Sequence, residues 1–185
     1  MSKAIRISLK KAPVEYDLGA SKFFGTPTVP LEWESDFRAD EIFLCQIKLS
    51  DIAELDSDKL LPRSGYLYVF LHTGEGIYRL RPHVRYFDGE PGLAIDDFNC
   101  AVEGYEHLNE AYLMEFSETG ESESCTRLFG VPSGESSREG GRLLMQLDPL
   151  DSGMGFLDSL DGYIYLFFGE NESDLSEVTL EEDYS

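Results

Sequence analysis

Positive charge is scarce in this sequence. Its 185 residues carry 15 Lys and Arg against 36 Asp and Glu, a formal net charge of -21. A surface of that sign repels phosphates, so neither nucleic acid nor an anionic membrane is an expected partner. Cysteine is also scarce: Cys45, Cys100 and Cys125 are odd in number, far apart, and form no Cys-x-x-Cys pair. That pattern fits reduced thiols in the cytoplasm rather than a disulfide frame. No stretch approaches the roughly 18 consecutive apolar residues of a membrane span. The opening Met1-Ser2-Lys3-Ala4-Ile5-Arg6-Ile7 has no apolar h-region and no cleavage site, so no signal peptide is expected there.

Catalytic signatures are missing as well. The glycines are followed by no Gly-Lys-Ser or Gly-Lys-Thr, which a phosphate loop needs. His72, His83 and His107 have no metal-like spacing with one another or with the cysteines. Asp96 and Asp97 are adjacent, and a strand would send them to opposite faces. A Cys–His pair such as Cys100 with His107 or His72 has no local signature to support it. The expectation is therefore no catalytic residue, no metal and no cofactor, with a non-enzymatic role favoured.

What the chain does have is a phrase said twice. Gly65-Tyr66-Leu67-Tyr68-Val69-Phe70 returns as Gly162-Tyr163-Ile164-Tyr165-Leu166-Phe167. Upstream, Phe43-Leu44-Cys45-Gln46-Ile47-Lys48 is echoed by Leu143-Leu144-Met145-Gln146-Leu147-Asp148, and Phe24-Gly25-Thr26-Pro27 by Phe129-Gly130-Val131-Pro132. Three elements in one order imply two copies of one supersecondary unit, over residues 20–72 and 127–169. Apolar content of 42% and aromatic content of 12% suit a single folded domain over 1–185 rather than a disordered chain.

Local patterns give the coarse layout. Ile5, Ile7 and Leu9 alternate with polar residues and read as a half-buried strand. Residues 19–30, rich in Gly, Pro, Ser and Thr, read as loop. Glu41–Leu49 reads as a central strand, with Ser50-Asp51 capping a short helix through Leu55. Tyr66–Leu71 is a strand, and Thr73-Gly74-Glu75-Gly76 a hairpin connection. Extended chain follows over Ile77–Phe87, held at an edge by Pro82. Glu103–Glu118 reads as a helix, from Leu108, Tyr112 and Glu115 near one face. Leu143–Leu147 and Gly162–Phe168 are strands. The acidic segment 170–185 is partly a docked element and partly a solvated tail.

Three groups of residues could carry function. Gln46 and Gln146 each interrupt an apolar strand, and a buried amide must find partners for its donors and acceptor. Either each ties its own Gly-x-Pro turn to the sheet, or both face a cleft between the copies and hold a polar ligand. Arg79, Arg81, His83 and Arg85 fall at every second position, so an extended strand projects them from one face. Either nearby carboxylates pair with them, or they bind an anion. Glu103, Glu106 and Glu110 begin an acidic stretch that is either a solvated face or a dock for a basic protein.

The same stretches, with Ser21-Lys22-Phe23, Leu61-Pro62 and Arg127-Leu128, resemble the bacterial YwqG family, built around a domain of unknown function. The likeness runs from about residue 20 to about 170, with Phe24-Gly25 and Phe129-Gly130 where that family more often has Gly-Gly. It implies a mixed α+β domain, mostly antiparallel β-sheet with few helices, in a cytoplasmic bacterial protein, and it brings no catalytic residues. The leading expectation is a protein-binding module of the immunity or adaptor kind. The alternative is a small-ligand or anion sensor, or a weak enzyme, using a cleft between the copies.

Overall fold

A computed structural model describes residues 3–74, 80–133, 141–151, 154 and 162–183. The described chain is mostly antiparallel β-sheet. Its strands are β1 (Ala4–Lys11), β2 (Lys22–Phe23), β3 (Thr28–Val29), β4 (Glu41–Lys48), β5 (Tyr66–His72) and β6 (Arg81–Phe87). The remainder are β7 (Leu93–Ala94), β8 (Tyr112–Thr119), β9 (Arg127–Leu128), β10 (Leu143–Leu147), β11 (Tyr163–Phe167) and β12 (Thr179–Asp183). Ten of them form one sheet in the order β12-β11-β10-β9-β1-β8-β2-β4-β5-β6, while β3 and β7 pair separately. The sheet curls until β12 and the turn before it pack against β6, giving a nearly closed, barrel-like form.

Alternation in the long strands builds the interior. Ile5 and Ile7 of β1, Leu67, Val69 and Leu71 of β5, and Val84 of β6 all enter one buried cluster with Leu144, Met145 and Leu166. Fully burying each such side chain contributes about 1.5–3 kcal/mol. In β4 the alternation breaks, because Leu44 and Cys45 are consecutive and both face inward. The register slips there, between Phe43 and Cys45, as a β-bulge. Asn99 fills the gap from outside: its Oδ1 accepts from Phe43 N at 2.7 Å, and its Nδ2 donates to Phe43 O at 3.2 Å.

The outward side of β4–β6 is buried too. Tyr66, Tyr68 and Phe70 stack along β5, and Trp33, Phe98, Val29 and Phe43 join them in a second cluster. Tyr163, Tyr165 and Phe167 form the matching ladder on β11.

Three expectations are corrected. The segment Glu103–Glu118 is not a helix: a 3-10 turn at Glu106–Asn109 leads into β8. Met114 is buried and Phe116 partly so, while Glu115 and Ser117 are exposed, a period of two that matches a strand lying against β1. Leu108 and Tyr112, four apart, pack on the same core from different elements, which mimics a helical stripe. Residues 19–30 are not all loop, since β2 bridges β4 and β8. Ser50-Asp51 caps no helix; Asp51 instead accepts from Ser21 Oγ at 2.7 Å. Within the acidic C-terminal segment, Thr179–Asp183 form β12, hydrogen-bonded to β11. Pro82 does sit on an edge strand, as its missing N–H requires.

Candidate functional site

The glutamines lie at two corners of the sheet where the chain makes the same move. Phe24 and Phe129 adopt positive φ values of 57° and 63°, each followed by a positive-φ glycine. Their amides donate to the carbonyls of Leu44 and Leu144, at 2.8 and 3.1 Å, inside the bulges of β4 and β10. The turn then brings a backbone N–H back over the strand. Gln46 Oε1 accepts from Thr28 N at 2.9 Å, and Gln146 Oε1 from Ser133 N at 3.0 Å. Gln46 Nε2 donates to Leu18 O, Ala20 O and Thr28 Oγ1; Gln146 Nε2 donates to Cys125 O and Ser133 Oγ. Both glutamines are wholly buried and bound to their own turns.

Beside each glutamine lies a buried cation that reading the sequence for function passed over. Lys22 pairs in register with Gln46, and Arg127 with Gln146. Lys22 Nζ donates to Leu18 O and lies over the Tyr16 ring. Burial lowers its pKa to about 8, against the opposing pull of the Asp17 charge. Arg127 donates to the carbonyls of Glu123, Phe129 and Val131 and to Gln146 Oε1. Burial lowers its pKa as well. The available signal was a single cation just before each Phe-Gly, but a basic residue in an acidic chain reads first as surface.

The cationic ladder is only partly described, because Arg79 lies outside the described residues. Arg81, His83 and Arg85 do share the outward face of β6, where His83 and Arg85 meet carboxylates. Arg85 lies 3.5 Å above the Trp33 ring and donates to Asp36 at 3.0 Å. His83 Nδ1 is 2.6 Å from Glu41 Oε1. Arg81 is exposed, opposite His72 in the register. The glutamines are bonded elsewhere, so the shared glutamine–arginine pocket is not built from these side chains.

The histidines, by contrast, come together where their sequence spacing gave no sign of it. Glu41 faces His72 across β4 and β5, and His83 sits one place diagonally away on β6. The two imidazoles stack with centroids 5.4 Å apart and planes 15° from parallel. One ligand atom from each of Glu41, His72 and His83 lies within 4.8 Å of the others. The distances between 41, 72 and 83 in sequence match no local motif, because the hairpin register rather than local spacing sets the contact.

The acidic candidates lie on the surface. Glu103, Glu106 and Glu110 are exposed on the approach to β8, and Glu110 pairs with Lys11 at 2.8 Å. At the seam of the barrel, an open cleft of about 520 Å³ lies between residues 59–62, Val84 and Tyr86 on one side and residues 172–176 on the other. Among the described residues no helix is long and apolar enough to cross a membrane. No protein-family model matches this sequence, and no curated protein matches it.

Proposed function

We propose that this chain is a non-enzymatic binding protein, of the immunity or adaptor kind, that takes a basic protein partner on its acidic surface. The observation that carries the reading is how the cations are used. Lys3, Lys11, Arg38, Lys48, Arg63, Arg85 and Arg142 each sit against a carboxylate of the same chain. Acidic residues outnumber basic ones by 36 − 15 = 21, so a large surplus of carboxylate is left for solvent or a partner. Between Glu103 and Thr126 the sequence has no Lys or Arg, and Glu103, Glu106, Glu115 and Glu123 are exposed there. Such a field steers a basic protein in and is weakened by salt. The exposed ion pairs already present contribute little to stability, so a partner can exchange them at small cost.

The reading takes residues 20–72 and 127–169 as two copies of one unit within a single cytoplasmic domain of the YwqG kind. The matched bulges, positive-φ Phe-Gly pairs and glutamine bonds support the duplication. The test is capture from native lysate at low salt, using the wild-type chain and the triple variant Glu103→Lys, Glu106→Lys, Glu115→Lys. The expected result is a stoichiometric basic protein held by the wild type, eluted by rising salt and absent from the variant. An empty wild-type column, or capture that ignores the triple change, overturns it.

A further inference from the structure

At the outer end of β4–β6, three donors converge that the acidic-surface reading does not use. Glu41 has a fully buried side chain, and its Oε2 accepts from the Arg38 backbone N–H at 3.1 Å. A carboxylate taken out of water needs positive charge beside it. Its close neighbours are His72 and His83, whose imidazole nitrogens are common metal ligands. His72 Nδ1 is itself buried and has no hydrogen-bond partner among the described residues. The Asp40 Oδ1 atom, 4.0 Å away, is too distant to serve as one. A buried carboxylate flanked by two imidazoles, one of them with a dry nitrogen that lacks a partner, is the setting in which one cation satisfies all three side chains.

We propose that Glu41, His72 and His83 bind a divalent transition-metal ion of the zinc type. Two imidazoles and one carboxylate suit a borderline ion; calcium and magnesium prefer all-oxygen shells. Zinc bonds of about 2.0–2.2 Å place tetrahedral ligand atoms roughly 3.4 Å apart. Here one ligand atom from each residue lies within 4.8 Å of the other two, and the Glu41 and His83 side chains touch at 2.6 Å. Each ligand rides on a different strand of a hydrogen-bonded sheet, which fixes the backbone beforehand.

The surroundings agree with a site that is bound from one side. The histidine side chains remain 20% and 35% exposed, which leaves an entry path. The Arg38 backbone bond orients the carboxylate, a role that outer partners play at metal centres. Asp40 is clamped by Arg38 through Nε and a terminal nitrogen, at 2.8 and 3.2 Å, so it stands close by as a further negative charge. Arg81 opposes the ion electrostatically, but its exposure keeps its charge in water. Three protein ligands leave a fourth position open to water or an incoming group.

The test uses the full chain, stripped by a chelator and titrated with zinc by calorimetry, then with cobalt(II) followed by its visible absorption. The expected result is one ion per chain and a cobalt spectrum of low-symmetry nitrogen–oxygen coordination. His83→Gln and His72→Gln should each weaken uptake by at least about 100-fold. A Cys100→Ser, His107→Gln double variant, changed at two exposed positions, should bind as the wild type does. If circular dichroism shows His72→Gln unfolded, His83→Gln on the half-exposed edge strand decides. No stoichiometric uptake by the folded wild type, or uptake unchanged in His83→Gln, overturns the site.

Discussion

The Gln46 and Gln146 corners solve one backbone problem with different cations. At both, a positive-φ Phe-Gly pair feeds a proline turn whose N–H must be met inside the protein. At the first corner the cation is Lys22, which reaches one carbonyl, so Gln46 and Thr28 carry the rest. At the second, the planar fork of Arg127 reaches three carbonyls and the glutamine oxygen as well. The difference teaches where stability resides. A guanidinium presents five donors in a fixed plane and keeps its charge, whereas a buried ammonium can shed its proton. The second corner should therefore depend on its cation, and the first on its amide and on pH.

The largest effect should come from Arg127→Met. It strips donors from the carbonyls of Glu123, Phe129 and Val131, and unsatisfied buried acceptors cost about 1–3 kcal/mol each. A loss of about 4 kcal/mol is expected in urea unfolding, with Lys22→Met far milder. Equal losses would show that the two cations do the same job.

Next comes pH. Lys22 has a folded pKa of about 8 against 10.5 when free. Below pH 8 both folded and unfolded chains hold the proton, and the folded state carries the full cost of the buried charge. Between 8 and 10.5 the unfolded chain binds more protons, so stability rises with pH, by about 3 kcal/mol in all. Lys22→Met should remove that rise. The wild-type minus variant curve isolates it, because buried tyrosines such as Tyr68, with pKa raised by desolvation, act in the opposite sense at higher pH. A flat difference curve would place the ammonium in water.

Removing the amides is a smaller test. Gln46→Ala should cost about 3 kcal/mol and Gln146→Ala about 2, since Arg127 goes on holding the second turn. The reverse order would mean that the arginine depends on its glutamine. Smallest are the hydroxyls: Thr28→Val and Ser133→Ala should each cost about 1 kcal/mol, read as a shift in the urea midpoint.

Much of this frame was legible. β1, β4, β5, β10 and β11 follow from alternation or apolar runs, and Pro82 marks the edge. The structural role of the glutamines was legible too, because a buried amide within an apolar strand has few places to turn. β8 was not, because its inward residues are broken by glutamates and preceded by Leu108 at a misleading distance. β2 and β9 escaped because two-residue strands have no period. Their buried Lys22 and Arg127 look like surface residues until the carbonyls around them are seen.

The sequence by itself determined β1, β4, β5, β10 and β11, their alternating faces, the Gly-x-Pro turns and the excess of negative charge. Each depends on the chemistry of neighbours in the chain: side-chain period, the stiffness of proline and the freedom of glycine. Only the tertiary structure decided which edges meet. Pairing β1 with β8, curling β12 towards β6, and setting Glu41, His72 and His83 side by side all depend on register between distant strands. Register is an outcome of burying every inward face at once, and no local stretch of sequence contains it.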